Sequence, residues 1–252
     1  MLGHRIRNDA VFYLRFVTFN SMGPTINRIS EKAITLAWEE KIDPDIHRQV
    51  MHIDALVSRD PFIGWIENVP AYHTLTIFYD PLIIYQRLGV SESFPYIENR
   101  IAHILKQPFH PDEITSRALR VPVCYDLSFG YDLPEVSERL NLGIEEIIHL
   151  HCSRRYHIFM LGFLPGFPYM GILPEALMIP RKAVPLLRVP AGTVAIAGQQ
   201  TGIYPVDSPG GWYAIGKTPV VLFREGKTYF EPGDNVEFYP VSSEEFHQLN
   251  GS

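Results

Sequence analysis

Cysteine and long apolar runs are scarce in this sequence, and each scarcity excludes a class of protein. Two cysteines, Cys124 and Cys152, stand among 252 residues, too few for the disulfide framework of a small secreted domain. No run approaches the ~18 apolar residues of a membrane-spanning helix. Asp9 and Arg15 interrupt the apolar N-terminal stretch, which argues against a signal peptide. We therefore expect a cytoplasmic protein that does not contact a membrane.

Clustered positive charge is missing as well. The formal net charge is -6, from 22 Lys and Arg against 28 Asp and Glu, and no basic block stands out. A nucleic-acid surface needs such a block, because cations displace the counterions of the phosphates. The sequence also lacks Gly-x-Ser-x-Gly, the turn that exposes the nucleophile of many serine hydrolases. Nucleic acid is therefore not expected as a partner, and an ordinary serine hydrolase is disfavoured.

Strand and helix patterns alternate in the first half of the chain. Apolar residues at period two indicate half-buried strands, and Asp43-Pro44 indicates a helix start, because Asp can cap free N–H groups and Pro fits the first helical position. We predict an α+β N-terminal domain over residues 1–112, a ferredoxin-like sandwich with its helices on one face of the sheet. The predicted elements are strands at residues 11–19, 33–38 and 75–79, and helices from residue 44 and over residues 97–105.

Proline and glycine, with 21 and 18 residues, concentrate in the second half. The regular spacing of apolar residues stops around residues 107–116. We therefore place a domain boundary there and a second domain over residues 113–252. From residue 156 onward we predict strands alone, and many short strands punctuated by turns indicate a closed barrel or a sandwich. The predicted elements are helices at residues 134–140 and 144–148, and strands at 121–123, 156–160, 194–196, 220–222, 228–230 and 236–238.

Three segments rich in glycine, proline and aromatic residues stand out in this second half. They are GFLPGFPYMG from Gly162, RVPAGT from Arg188 with its continuation AGQQTGIYP, and SPGGW from Ser208. Glycine lets a backbone approach a ligand closely, and proline fixes the neighbouring turn. One interpretation is an apolar cleft walled by aromatic rings, with Arg188, Gln199 and Thr201 as polar anchors. The other is a set of ordinary barrel turns with aromatic plugs.

Two further patterns resemble known kinds of site. GWYAIGKT, residues 211–218, has the spacing of a phosphate-binding P-loop, but Pro219 and an apolar strand follow where that loop needs a helix, so we predict no P-loop. His149, His151 and Cys152 resemble metal ligands, but a third ligand of fitting spacing is missing, and we predict no metal. An acid–base or hydrogen-bonding role for His151 and a structural role at a helix-to-strand junction both stay open.

The three segments also carry a family resemblance. The runs YHIFMLGFLPGFPYMG and RVPAGTVAIAGQQTGIYPVDSPGGWYAIGKTPVVLF resemble the family of the 5-oxoprolinase B subunit, also called KipI-like proteins or allophanate hydrolase subunit 1. The similarity covers residues 68–240. It implies a cyclophilin-like β-barrel in the C-terminal domain beside the smaller α+β domain.

The resemblance implies a hetero-oligomeric enzyme. A homologous C subunit (KipA-like) and a third subunit would act with this chain to convert 5-oxoproline to L-glutamate with ATP and Mg²⁺, and the chain alone would be inactive. Two other roles known in the family stay open: inhibition of a histidine kinase, and a part in urea or allophanate amide processing. The chain has no biotinyl-lysine motif, so no biotin is expected on it.

The family motifs select the candidate site residues. Ser153 and Arg181 fall on these motifs without an assigned role. As catalytic polar groups we expect His151, Arg188, Gln199 and Thr201. As substrate-binding residues we expect Phe163, Pro165, Gly166, Phe167, Pro190, Gly192, Tyr204, Ser208, Gly210, Gly211 and Trp212.

Overall fold

Two β-sheets with accompanying helices organise the chain, which is a mixed α/β protein. The computed structural model describes residues 23–108 and 116–250. The predicted strand at residues 11–19 and the predicted boundary at residue 112 lie outside the described residues. No helix in the described part of the chain is long and apolar enough to cross a membrane.

The first sheet has four antiparallel strands, and three helices accompany it. Asp43 caps the first helix, because its side chain accepts a hydrogen bond of 2.8 Å from the Asp45 N–H. One cluster of buried apolar side chains, from Ile34 to Ile104, forms the core of this half. The strands are β1 (Thr25–Ser30), β2 (Ala33–Ala37), β3 (Trp65–Pro70) and β4 (Thr74–Tyr79), and they lie in the order β1-β2-β4-β3. The helices are α1 (Pro44–Arg59), α2 (Pro81–Leu88) and α3 (Ser93–Ile104).

The second sheet has seven strands around a second apolar core. Its strands are β5 (Ala118–Val123), β6 (Arg155–Leu161), β7 (Pro168–Gly171), β9 (Thr193–Ala197), β10 (Gln200–Ile203), β12 (Tyr213–Lys217) and β15 (Asn235–Pro240). Two small hairpins join β8 (Leu186–Val189) to β11 (Ser208–Gly210) and β13 (Phe223–Arg224) to β14 (Lys227–Thr228). The helices are α4 (Leu133–Leu140), α5 (Ile144–Cys152) and α6 (Ser243–Asn250), with a 3-10 turn at Glu175–Leu177.

The seven-stranded sheet curls until its two edges meet. The strand order is β12-β9-β10-β7-β6-β15-β5, so β12 and β5 are the edges. Cys124, directly after β5, donates its N–H to the Lys217 carbonyl at 2.8 Å, and the Lys217 N–H donates to the Cys124 carbonyl at 2.9 Å. Neighbouring strands are antiparallel except β15 and β5, which are parallel. This edge contact leaves fewer backbone groups unpaired than an open sheet would.

The two halves meet where α1 lies against β6. The Nδ1 atom of His47 on α1 lies 2.8 Å from Nε2 of His157 on β6. Nearby, the Gln200 amide donates to the Tyr72 hydroxyl at 2.9 Å, and the Tyr72 ring lies 5.5 Å from the Phe159 ring. Side chains from both halves therefore form a shared, partly polar contact.

Most predicted elements are confirmed, and the exceptions have local causes. The strands predicted at 220–222 and 228–230 are wrong in position, because Glu225 (φ 53°) and Gly226 (φ 77°) form a tight hairpin turn. That turn restricts the strands to β13 and β14. The prediction of strands alone after residue 156 is wrong, because α6 and a 3-10 turn occur there. α2 was not predicted, although Asp80 caps it.

Candidate functional site

The three glycine- and proline-rich segments supply the walls of one cavity of about 420 Å³, which we call the aromatic cavity. The first segment joins β6 to β7, the second covers β9 and β10, and the third covers β11 and the two residues before β12. The residues that line the cavity are Phe163, Leu164, Phe167, Tyr169, Arg181, Lys182, Pro185, Tyr204, Ser208, Pro209, Gly210, Gly211 and Trp212.

Aromatic rings in edge-to-face contact make the apolar wall. The Phe167 ring lies 5.2 Å from the Tyr204 ring at 78° and 5.4 Å from the Trp212 ring at 85°. It also contacts the Tyr169 ring at 4.9 Å. Such T-shaped pairs are favourable because a positive ring edge meets a negative ring face. Phe167, Tyr204 and Trp212 are buried, so the wall is held in place before any ligand enters.

Glycine is required where the backbone passes this wall. A Cβ on Gly210 would overlap the Tyr204 hydroxyl, whereas a Cβ on Gly211 would lie 3.6 Å from Pro185, an ordinary contact. Gly192 has φ of 81° and its Cβ would lie 2.6 Å from the Thr218 carbonyl oxygen. The sequence motif therefore uses glycine for two purposes, close approach at Gly210 and a left-handed conformation at Gly192.

Two cations line the aromatic cavity, and their surroundings differ. The Lys182 ammonium donates to the buried Asp132 carboxylate at 2.5 Å, and the other oxygen of Asp132 accepts from the Ala214 N–H at 2.8 Å. Arg181 is exposed and lies over the Trp212 ring at 5.9 Å. It has no carboxylate within ion-pair distance among the described residues. Arg181 is therefore the cation available to an anionic ligand.

Arg188 does not line the aromatic cavity, although it was a predicted catalytic residue. Its guanidinium donates two hydrogen bonds to one Asp207 oxygen, at 2.9 and 2.7 Å. The other Asp207 oxygen accepts from the Ala191 N–H at 2.8 Å. The Ala191 N–H and then Arg188 lower the pKa of Asp207. The pair therefore fastens β8 to the connection that precedes β11.

His151 and Thr201 lie inside the barrel, where neither has exposed surface. The Thr201 hydroxyl donates to the Ala195 carbonyl at 3.1 Å, so it accepts from Nε2–H of His151 at 2.9 Å. Nδ1 of His151 then accepts from the Tyr125 hydroxyl at 2.7 Å. Burial lowers the pKa of His151 to about 3. A neutral imidazole with both nitrogens bonded matches the structural role that the sequence left open.

The four predicted catalytic residues therefore do not share a site. Gln199 is exposed in the turn between β9 and β10, and its backbone carbonyl accepts from the Leu173 N–H at 2.8 Å. His149 is exposed and His151 is buried, because α5 is a helix and turns residues two apart to different sides. The catalytic roles predicted for His151, Arg188, Gln199 and Thr201 stay predictions, but none of the four lines the aromatic cavity.

Unlike the predicted catalytic residues, most of the predicted substrate-binding residues line the aromatic cavity. Lining the aromatic cavity are Phe163, Phe167, Tyr204, Ser208, Gly210, Gly211 and Trp212. Outside its lining are Pro165 and Gly166, in the turn between β6 and β7, and Pro190 and Gly192, before β9. The sequence interpretation of an aromatic cleft had included Tyr169, which lines the cavity. The lining residues outside that cleft and outside the predicted substrate-binding set are Leu164, Arg181, Lys182, Pro185 and Pro209. The family resemblance placed Arg181 on a motif, and this was the sequence signal that could have identified Arg181 as a site residue.

The P-loop-like run does not form a phosphate-binding loop in the described part of the chain. Residues 213–217 of the P-loop-like run form β12, so no helix directs N–H groups at a phosphate. The Lys217 ammonium lies 5.7 Å from the centre of the Phe129 ring, and its backbone closes the sheet. The described residues also contain no group of three or more His, Cys, Asp or Glu side chains placed to hold a metal ion.

The sequence of this chain matches a family of carboxyltransferase domains. Residues 24–231 match the family model of the carboxyltransferase domain, subdomains C and D. The B subunit of 5-oxoprolinase from Bacillus subtilis is 38% identical over 227 residues, which cover 88% of this chain and 95% of that protein. The chain belongs to the family of the 5-oxoprolinase B subunit.

Longer proteins contain the same unit. The crystal structure of TTHA0988 superposes with a TM-score of 0.69 at 35% identity, over 84% of this chain and 40% of that one. The urea amidolyase of Lachancea kluyveri is 40% identical over 244 residues, which cover 84% of this chain and 13% of that protein. The chain is therefore similar to a part of each of these larger proteins.

Proposed function

We propose that this chain is one subunit of an ATP-dependent 5-oxoprolinase, which opens 5-oxoproline to L-glutamate. A homologous C subunit (KipA-like) and a third subunit make up the rest of the enzyme in this proposal, and the chain alone is inactive. One observation carries the proposal: a preformed aromatic cavity with an available arginine, in a chain that aligns with nearly all of the B subunit of a 5-oxoprolinase.

The chemistry of 5-oxoproline suits the aromatic cavity. The molecule is a five-membered lactam ring that carries one carboxylate. Its ring carbons can pack on Phe167 and Trp212, and its carboxylate can pair with Arg181 at the cavity mouth. Backbone N–H groups near Gly210 and Gly211 are the groups that could face the lactam oxygen, where negative charge develops as the amide opens. In this proposal the chain binds and orients the substrate.

ATP with Mg²⁺ is proposed to bind elsewhere in the complex. The described residues of this chain form neither a phosphate loop nor a cluster of acidic metal ligands. ATP would supply the free energy that a stable lactam needs, by activating the amide oxygen. The residues of this chain would meanwhile keep the ring oriented and exclude water other than the attacking molecule.

Reconstitution tests this function. The chain, its C subunit and the third subunit are purified separately and combined, and glutamate release from 5-oxoproline is measured with and without ATP. We expect release only with all three chains and ATP. Absence of glutamate with the full set, when the same three chains co-purify as a complex, would refute the proposal.

The finer architecture belongs to the same proposal. We take residues 1–112 as a ferredoxin-like domain and residues 113–252 as a cyclophilin-like barrel, located in the cytoplasm. Separate apolar cores in the two halves support this division. Expression of each segment alone, followed by measurement of cooperative unfolding, tests it.

Urea or allophanate processing is the second candidate function. The similarity to part of a urea amidolyase favours it. It predicts ATP consumption that depends on urea and on a partner chain carrying biotin. Measuring ATP consumption with urea and with 5-oxoproline in parallel separates the two candidates. The predicted inhibition of a histidine kinase stays a prediction.

A further inference from the structure

A second cavity of about 550 Å³ lies at the contact between the two halves, and we call it the junction cavity. One wall is the start of α1, with Pro44, His47, Arg48 and Met51. The opposite wall belongs to the barrel and includes the start of β6 and the end of β7. None of its lining residues lines the aromatic cavity, so the two cavities are separate.

The lining of the junction cavity is cationic. Arg48, Arg154 and Arg155 line it, and no Asp or Glu is among its described lining residues. Arg155 contacts Glu237 at 3.4 Å and Arg48 pairs with Asp45, and all four side chains are largely exposed. Arg154 donates to the Ile172 carbonyl at 3.2 Å and has no ion-pair partner among the described residues. Three arginines around one cavity are unexpected in a chain of net charge -6, so their placement requires a physical reason.

Two neighbouring imidazoles, of His47 and His157, are also part of the lining of this cavity. His47 has no exposed surface, and its Nε2 atom has no hydrogen-bond partner in the described part of the chain. Its Nδ1 atom is occupied by His157. Burial, assisted by His157 and opposed by a backbone group of Phe159, lowers the pKa of His47 to about 3. Burial lowers the pKa of His157 to about 4. Both rings are therefore neutral at pH 7, and they add no charge to the lining of this cavity.

Apolar groups complete the lining. Pro44 and Met51 lie on the α1 side, and Ile172 lies on the barrel side. A ligand that uses the whole surface therefore needs an anionic group for the guanidinium groups and a short carbon skeleton for the apolar groups. Inorganic phosphate has no carbon skeleton. An amino acid would bring an ammonium group next to three arginines, which repel it.

We propose that the junction cavity binds a small organic carboxylate that carries no amino group. The carboxylate pairs with Arg154, which has no ion-pair partner among the described residues, and the skeleton packs on Met51 and Ile172. Because the two walls come from different halves of the chain, the bound carboxylate links α1 to the barrel. This site is additional to the proposed substrate site in the aromatic cavity, and it does not depend on 5-oxoprolinase activity.

Calorimetric titration of the full chain at pH 7 tests the site, with three probes. Glutarate is a five-carbon dicarboxylate, L-glutamate adds an ammonium group to the same skeleton, and inorganic phosphate is an anion without a skeleton. We expect glutarate to bind at least about tenfold more tightly than either of the others, because one charged hydrogen bond or charge repulsion is sufficient for such a factor. Glutarate that fails to bind, or binds no better than L-glutamate or phosphate, would overturn the proposal.

Matched variants locate the binding. Arg154→Gln changes an exposed side chain and should weaken glutarate binding by about tenfold while the protein stays folded. Arg48→Gln is the matched variant, and it should weaken binding less because Arg48 is already paired with Asp45. Arg181→Gln changes the arginine of the aromatic cavity and should leave glutarate binding unchanged. Loss of binding in Arg181→Gln, with full binding in the other two variants, would assign glutarate to the aromatic cavity and remove the junction site.

Discussion

Two arginines near the aromatic cavity differ in whether their charge is available to bind an anion. Arg181 and Arg188 are both exposed, but Asp207 already holds Arg188 through two hydrogen bonds. Arg181 lies over the Trp212 ring and has no carboxylate partner among the described residues. An arginine that is already paired with a carboxylate binds a second anion less well, because its partner cancels most of the charge. The surroundings of the two arginines, rather than their residue type, therefore identify Arg181 as the cation that can bind an anionic ligand.

Replacing each arginine with glutamine tests this assignment. In the reconstituted three-chain enzyme we expect Arg181→Gln to lower kcat/KM by about tenfold or more, since a charge-assisted hydrogen bond to the substrate is lost. Arg188→Gln should leave kcat/KM close to that of the parent chain. A large loss in Arg188→Gln alone would instead support the catalytic role that the sequence suggested.

Thr201 allows a test of the buried imidazole. Thr201→Val has nearly the same shape but leaves Nε2–H of His151 without an acceptor, which should lower the free energy of unfolding by about 1–3 kcal/mol. Thr201→Ser retains the hydroxyl and should cost less. The free energies come from urea denaturation of the isolated chain. Equal losses in the two variants would mean that the hydrogen bond to His151 is not what Thr201 contributes.

At the scale of elements, β11 and the two residues after it line the aromatic cavity, and two adjacent glycines there have different surroundings. Gly210 faces Tyr204 with no space for a Cβ, whereas Gly211 has ordinary space beside Pro185. We expect Gly210→Ala to lower the free energy of unfolding by about 1–3 kcal/mol, as overpacking does.

Gly211→Ala is the matched control for this prediction. Its added methyl group meets Pro185 at an ordinary distance, so the free energy of unfolding should change by less than about 1 kcal/mol. The tryptophan fluorescence of Trp212, next to both positions, should shift only in Gly210→Ala. Similar behaviour of the two variants would contradict the role assigned to Gly210.

Local patterns predicted many elements because their causes are local. The Asp43-Pro44 cap and the alternation in β4 depend on neighbouring residues, so the sequence alone could specify them. α2 was not predicted because Asp80-Pro81 was interpreted as the end of a strand, although the same pair caps a helix. In the structure the pair has both roles, because β4 ends at Tyr79 and α2 begins at Pro81.

The site was harder to predict because it depends on distant contacts. The sequence identified the segments that line the aromatic cavity, since glycine, proline and aromatic residues mark close packing. It could not show that Asp207 engages Arg188 or that Asp132 engages Lys182, because these partners are 19 and 50 residues apart. The burial of His151 depends on how α5 packs on the barrel, which residue spacing does not reveal.

For the whole molecule, three buried neutral histidines make stability depend on pH. Burial lowers the pKa of His47 and of His151 to about 3 and of His157 to about 4, all below the unfolded value of about 6.5. Below about pH 6.5 these three histidines therefore bind protons in the unfolded chain but stay neutral in the folded chain. Stability is fully present above pH 6.5 and is lost as pH falls through 6.5 towards 4.

Urea denaturation at pH 7 and pH 5 measures this loss. Each buried histidine should contribute up to about 2 kcal/mol to the decrease, since one pH unit corresponds to about 1.4 kcal/mol per proton. His151→Gln removes one titrating group and should make the decrease smaller, even though the variant is less stable at both pH values. A decrease of the same size in the variant would show that His151 is not linked to the pH effect.

The parallel pairing of β5 with β15 has a consequence for synthesis of the protein. In the sheet β5 has a single neighbouring strand, β15, which begins at Asn235. A growing chain on the ribosome therefore carries β5, which ends at Val123, without its partner until residues up to Pro240 have been translated. During that interval its free edge is open to pairing with other nascent chains. Recovery of intact protein should depend on how quickly the codons around and after β15 are read, and on chaperones that cover the edge meanwhile.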